Sequence, residues 1–222
     1  MLKVGVILSG CGVLDGSEIH EATLLLLAID RRGAQAVCLA PDIDQADVVD
    51  HAAGLVKQER RGVLAESARI ARGRIKSLHQ AKAEELDAVM LPGGYGAVKN
   101  LCNFAKDGAR CEVDPHLSRL LKDMHAAGKP IGAACIAPVI LARLFGSESP
   151  ELTIGSELQV AKAIEAMGAR HKNTAATAVL LDKTRRLATT PCYMLAERIS
   201  QVEEGMDNLV RAVLELAALP RA

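Results

Sequence analysis

The chain contains no tryptophan, and two tyrosines with two phenylalanines bring its aromatic share to only 2%. A surface that stacks bases cannot be built from so few rings. An excess of charge of one sign is lacking too: 27 Lys and Arg balance 27 Asp and Glu. No net field therefore draws in nucleic acid or an anionic membrane. Long apolar runs are also missing. No stretch approaches the roughly 18 apolar residues of a membrane span. The run Val4–Leu8 is broken by Gly10, Gly12, Asp15 and Glu18 too early for a signal peptide. Neither nucleic acid nor a membrane is expected as a partner, and the expected location is cytoplasmic.

The six cysteines (Cys11, Cys38, Cys102, Cys111, Cys135 and Cys192) include no C-x-x-C pair. At 222 residues the chain can bury a core without covalent staples, so reduced thiols are expected. The six histidines show no H-x-x-x-H spacing, which leaves a zinc site without support. Neither a metal nor an organic cofactor is expected.

What is present is the alternation of a two-sided parallel sheet. Val4–Leu8, Ala36–Ala40, Ala88–Leu91 and Ile131–Ala134 are unbroken apolar runs, the pattern of strands buried on both faces. Between them, Glu21–Arg32 and His116–Ala127 carry apolar residues at helical spacing, followed by Gly33 and Gly128 at C-cap positions. These units predict an α/β fold: a doubly wound, flavodoxin-like parallel sheet of at least five strands with helices on both faces. With no linker or repeat, residues 1–222 read as a single domain. The long crossover Asp42–Ser77 has room for a small hairpin and a helix over Val63–Arg72. Ala178–Leu181 and Arg186–Thr190, flanking a polar Asp182–Arg185, read as a second hairpin. A last helix ends near Leu219.

Three segments could carry chemistry. In Gly132-Ala133-Ala134-Cys135-Ile136-Ala137-Pro138, small residues surround a cysteine between a predicted strand and helix. Such a turn lifts a nucleophile above the sheet edge, where ligands of open α/β sheets bind. The positive end of the following helix is expected to lower the thiol pKa, making Cys135 the most acidic of the six. An inert, packed cysteine is the alternative. The second segment, Leu91-Pro92-Gly93-Gly94-Tyr95-Gly96, puts paired glycines after a strand, so that backbone N–H groups can approach a ligand or serve as an oxyanion hole. A simple tight turn competes with that reading, and the Walker lysine is missing. The third segment runs from Gly10 to Glu21 and lacks the third glycine of a dinucleotide fingerprint. In it, Glu21 falls on the apolar side of a helix with Leu24, Leu25 and Ala28. Desolvation should keep its carboxyl protonated and able to donate to a thiolate. Glu18 reads as a stabiliser of the helix start, with Asp15 as a candidate cap.

These segments resemble the PfpI-like superfamily, which includes the Parkinson-associated protein deglycase and the class I glutamine amidotransferase-like domains. Within it the chain is most similar to the ElbB-type, isoprenoid-biosynthesis glyoxalases. The resemblance rests on I-L-S-G-C-G-V-L-D-G-S-E-I-H-E, A-V-M-L-P-G-G-Y-G-A-V-K-N-L, G-K-P-I-G-A-A-C-I-A-P and T-T-P-C-Y-M-L-A, spread from Val6 to Ala196. It implies Cys135 as nucleophile, Glu21 as its acidic contact, and main-chain donors at Gly94 and Ile136. It further implies a homodimer and a cofactor-free, glutathione-independent glyoxalase acting on a small dicarbonyl. Glyoxal is the expected substrate and methylglyoxal a second one. Gly93 and His20 join the expected substrate-binding set, with His20 as the alternative proton shuttle.

The departures are equally specific. Ile136 stands where the protease-like branch has a histidine after its nucleophile. Gly155 stands where the deglycase branch supplies one. No late H-x-E follows Cys192. Protease and glutaminase chemistry are therefore disfavoured, since each needs a general base for the nucleophile. A cysteine redox sensor, or a protein deglycase with little glyoxalase turnover, is the rival reading.

Overall fold

The runs predicted as buried strands line up side by side in one sheet. In the computed structural model, which describes residues 1–220, the chain passes through β1 (Lys3–Ile7), α1 (Ile19–Arg31) and β2 (Gln35–Ala40). A small hairpin, β3 (Val48–Asp50) and β4 (Leu55–Lys57), then leads to α2 (Val63–Ile70) and β5 (Ile75–Ser77). The central stretch holds β6 (Ala88–Leu91), α3 (Tyr95–Lys99), α4 (Phe104–Asp107), α5 (Pro115–Ala126), β7 (Ile131–Ala134) and α6 (Pro138–Phe145). The last part comprises β8 (Glu151–Leu152), α7 (Leu158–Ala166), β9 (Arg170–His171), β10 (Leu180–Asp182), β11 (Leu187–Thr190) and α8 (Ile199–Ala218). The final two residues of the expected 1–222 domain lie outside the described residues.

The main sheet has seven strands in the order β10-β11-β7-β6-β1-β2-β5. Six run parallel, and β10 pairs antiparallel with β11 through the expected hairpin. This is the flavodoxin-like, doubly wound arrangement. Residue alternation splits the core into two layers. Val4, Val6, Ala88 and Met90 face α1 and α8. Ile7, Val89 and Leu91 face α5, α6 and α7. Both layers are buried, which is why these strands read as continuous apolar runs rather than alternating ones.

The crossover between β2 and β5 contains the hairpin and helix foreseen for it. It also contains an edge strand, β5, that no apolar run announces. The helix α2 ends at Ile70 rather than Arg72, and Arg72 adopts a left-handed φ of 52°. The small parallel pair of β8 with β9 and the short helices α3 and α4 were not foreseen either. Helix α1 is tied to α8 by Arg31 with Glu203 at 2.6 Å and by a two-pronged Arg32–Asp207 pair. No helix among the described residues is long and apolar enough to cross a membrane.

Candidate active site

Three parallel strands end side by side and deliver the predicted segments to one place: β1 leads to the Gly10–Glu21 loop, β6 to Gly93-Gly94 and β7 to Cys135. This is the carboxyl edge of the sheet, where binding sites of this architecture form.

Cys135 lies between the end of β7 and the start of α6, with φ at +58°. A non-glycine residue there carries steric strain. Its N–H is fixed by Thr190 C=O at 2.9 Å, so the strained turn is clamped from the neighbouring strand. Pro138 opens α6, where its missing N–H leaves nothing unpaired. The sulfur is almost covered: Cys135 is 7% exposed.

Glu21 comes from the first turn of α1 and is fully buried. Oε2 accepts the Gly93 N–H at 2.8 Å and Oε1 accepts the Tyr193 N–H at 3.1 Å. The Cys135 side chain stands beside the same carboxylate, across the Cα of Gly93. Loss of water lifts the carboxyl from an ordinary 4.5 to about 7, and the Glu18 charge adds to the rise. The Tyr193, Gly93 and Cys135 donors pull the other way. A group titrating near neutrality both accepts and returns a proton with little cost. The expectation of a simply protonated Glu21 gives way to one poised between its two states.

The thiol itself departs from expectation. Burial first, then the charge of Glu21, push Cys135 well above an ordinary thiol, and Cys192 adds to this. The N–H groups of Gly94 and Ile136 reach the sulfur and oppose the rise. The predicted most acidic cysteine is thus held as a thiol beside a base, because the helix terminus does not offset its burial and the neighbouring charge.

The glycines are shaped by this crowding. A Cβ on Gly93 would lie 2.4 Å from Cys135 Cβ and 2.8 Å from both Cys135 Sγ and Glu21 Oε2. Gly94 has φ +95° and lies against the backbone of Gly16–Glu18. Glu18, not Asp15, caps α1, accepting the Glu21 N–H at 2.7 Å. Asp15 instead accepts the Val49 N–H at 2.7 Å and ties down the small hairpin.

His20 stands at the mouth of the site with Nδ1 2.7 Å from Tyr193 Oη and 4.0 Å from a Glu18 oxygen. It does not reach the sulfur directly. Tyr193 thus touches Glu21 through its backbone and His20 through its hydroxyl. Nothing in the sequence singles this tyrosine out, although its segment T-T-P-C-Y-M-L-A carries part of the family resemblance. At Gly155, Leu195 packs where a side chain would begin, 2.6 Å from the Cβ position. Among the described residues no three His, Cys, Asp or Glu side chains gather as metal ligands.

Above the sulfur opens a cavity of about 490 Å³. Val98, Phe104, Ile136, Val160 and Met194 form apolar walls, and Glu18 and Glu157 are its charged lining.

No family model matches the chain. It is 43% identical over 224 residues to the "ES1 protein homolog, mitochondrial" of Rattus norvegicus, covering 96% of this chain and 84% of the relative. It is likewise 43% identical to the "Glutamine amidotransferase-like class 1 domain-containing protein 3, mitochondrial" of Homo sapiens, covering 96% and 83%. The crystal structure of an isoprenoid biosynthesis protein with an amidotransferase-like domain from Ehrlichia chaffeensis superposes with a TM-score of 0.89 at 34% identity, covering 96% of this chain and 99% of that one. Glyoxalase III of Candida albicans shares the fold at a TM-score of 0.63 and 12% identity, covering 95% and 97%. The mitochondrial names of the rat and human relatives overturn the expected cytoplasmic location. The cytoplasmic expectation rested on secretory and membrane-spanning signals, neither of which bears on a mitochondrial destination.

Proposed function

Since the chain belongs to the ES1 family of class I glutamine amidotransferase-like proteins, with an ElbB-like structural neighbour, we propose that it is a glutathione-independent glyoxalase, converting glyoxal, and methylglyoxal as a second substrate, to 2-hydroxy acids. The observation that carries this reading is the placement of the Cys135 thiol beside the fully buried Glu21 carboxyl, which burial lifts to about 7. A nucleophile and an acid–base group share one desolvated spot, with two N–H donors aimed at the sulfur.

In this reaction the Cys135 sulfur attacks the aldehyde carbon while Glu21 takes the thiol proton and passes it to the new alkoxide, forming a hemithioacetal. Gly94 and Ile136 N–H groups lie beside the position where that oxyanion develops. Glu21, a carboxylate again, removes the hydrogen from the former aldehyde carbon and returns it to the neighbouring carbon through an enediol. The hydroxyl proton on the carbon bound to sulfur passes to the neighbouring oxygen, so that the first becomes a thioester carbonyl and the second a hydroxyl. Water cleaves the thioester, releasing glycolate from glyoxal or lactate from methylglyoxal and restoring the thiol. Aldehyde plus water thus becomes hydroxy acid, with no change in overall oxidation state. General-base help answers the objection that a buried thiol is a poor nucleophile, since the proton leaves as the C–S bond forms.

The sensor alternative needs a standing thiolate, which the burial of Cys135 and the Glu21 charge work against. The deciding experiment is glycolate formation from glyoxal by wild type and Cys135→Ala. Turnover should vanish in the variant. Equal rates in the two would sink the reading.

A further inference from the structure

The cavity over Cys135 is much larger than the dicarbonyl that the chemistry minimally requires. Glyoxal has two carbons and two oxygens, roughly the space of two or three waters at ~30 Å³ each. The cavity holds about 490 Å³, within the range of sites that enclose drug-sized ligands. Part of its wall comes from elements that carry neither Cys135 nor Glu21: Val98 on α3, Phe104 on α4 and Val160 on α7. A glyoxal molecule bound at the sulfur would leave these surfaces facing water.

The charge of the lining is equally one-sided. Glu18 and Glu157 are acidic, and among the described residues no lysine or arginine lines the cavity. Both carboxylates are held by capping bonds: Glu18 accepts the Glu21 N–H at 2.7 Å, and Glu157 accepts the Gln159 and Val160 N–H groups at 3.1 and 2.6 Å. Moving either aside for an anion would forfeit those bonds. The nearby Lys99 is engaged by Asp47 at 2.9 Å and is not part of the lining. A phosphorylated or carboxylated carbonyl compound would face two like charges there, the buried Glu18 and the exposed Glu157, with no cation in the lining to meet it.

We infer that the preferred substrates are uncharged α-oxoaldehydes carrying an alkyl or aryl group, with that group seated against Val98, Phe104 and Val160. This inference rests on the glyoxalase reading for the reaction, but the ligand class follows from the cavity itself. Each methylene moved from water to such a wall is worth about a fourfold gain in affinity. Selectivity over glyoxal should therefore build up along a chain until the cavity is full.

The test has a turnover arm and a binding arm. Rates are measured for glyoxal, methylglyoxal, hexylglyoxal, phenylglyoxal and para-carboxyphenylglyoxal, each normalised to its reaction with a free thiol in water. Hexylglyoxal and phenylglyoxal should exceed glyoxal at least tenfold in kcat/KM, and the carboxylated ring should lose at least tenfold against phenylglyoxal. Phe104→Ala should shrink the phenylglyoxal-to-glyoxal ratio several-fold. Glu157→Gln, which retains a capping oxygen, should narrow the penalty on the carboxylated ring. Independently of turnover, ligand-observed NMR should show 1-hexanol binding the wild-type protein and hexanoate binding at least tenfold more weakly. A flat rate series, or hexanol that does not bind in preference to hexanoate, overturns the inference while leaving glyoxalase chemistry standing. No turnover on any aldehyde, with hexanol still bound, removes the glyoxalase reading and leaves the ligand class intact.

Discussion

The Cys135 thiol stands beside the fully buried carboxyl of Glu21, and each group alters the proton affinity of the other. The negative carboxylate raises the cost of making a thiolate. The thiol donor in turn holds Glu21 lower than burial alone would. Both shifts disfavour a charged sulfur, so the pair is better suited to moving a proton during a reaction than to storing a thiolate.

The first consequence is a pH–rate profile. If Glu21 must be ionised to accept the thiol proton, kcat/KM should rise tenfold per pH unit in acid and level off near pH 7, the value to which burial lifts the group. Glu21→Gln should lose that limb together with about 10²–10⁴ in rate. A stopped assay for glycolate across pH 5 to about 9 reads both effects. A profile with no break near neutrality would remove Glu21 from the reaction.

Stability should move in the opposite direction with pH. The folded-state pKa of Glu21, about 7, lies above its ordinary 4.5, so between these values the folded chain binds more protons than the unfolded one. The favourable contribution is fully present below about pH 4.5 and is lost as pH rises through 7. The loss amounts to about 3 kcal/mol for a shift of this size. Chemical denaturation at several pH values should show Glu21→Gln gaining on wild type as pH rises. A difference that stays constant with pH would contradict the raised carboxyl.

Native alkylation should report the covered sulfur. Cys11 is only partly buried, whereas Cys135 is 7% exposed with its pKa pushed up. Brief iodoacetamide treatment near neutral pH followed by peptide mapping should label Cys11 ahead of Cys135. Dominant labelling of Cys135 would mean that its thiolate is more accessible than this geometry permits.

Much of the central machinery is legible in the sequence, and what is not legible has physical reasons. Ala88–Leu91 and Ile131–Ala134 are strands to the residue, because burial on both faces leaves no polar interruption to blur their ends. Ile75-Lys76-Ser77 escapes notice, since a three-residue strand at the edge of the sheet needs no apolar run. The cysteine turn is legible in its small neighbours, but the thiol pKa is not. A helix terminus is a local signal, whereas the burial of the thiol and the charges of Glu21 and Cys192 come from distant parts of the chain. Tyr193 is hidden for the same reason. Its contact with Glu21 is made by its backbone N–H, which carries no trace of residue type.

Gly93 should tolerate no side chain. The Cβ of Gly93→Ala would fall 2.4 Å from Cys135 Cβ, and neither β6 nor the clamped cysteine turn can retreat freely. Overpacking of this kind costs about 1–3 kcal/mol, or a drop in Tm of roughly 2–4 °C per kcal/mol in a chain of this size. Glyoxal turnover should fall further than stability does, because the displaced atoms are the reacting ones. Calorimetry and glycolate assays on one preparation separate the two effects, and an unchanged Tm would show that the turn is softer than its contacts suggest.

The final prediction decides whether His20 takes part in proton transfer. Its Nδ1 lies 2.7 Å from Tyr193 Oη, and the Tyr193 N–H lies 3.1 Å from Glu21 Oε1. Tyr193→Phe removes the hydroxyl link but keeps the backbone donor that holds Glu21. If Glu21 alone moves the proton, the variant should keep kcat within a few-fold of wild type and the same break near pH 7. His20→Gln should then behave like Tyr193→Phe, since the ring lies at the mouth and does not reach the sulfur. If instead the chain from His20 through the tyrosine hydroxyl relays the proton, both variants should lose on the order of 10² or more in kcat. The double variant should then be no worse than either single one, as expected for groups acting as a unit. Kinetics of the two single variants and the double variant therefore assign the shuttle. A large, non-additive loss would transfer the role from the buried carboxylate to the pair at the rim.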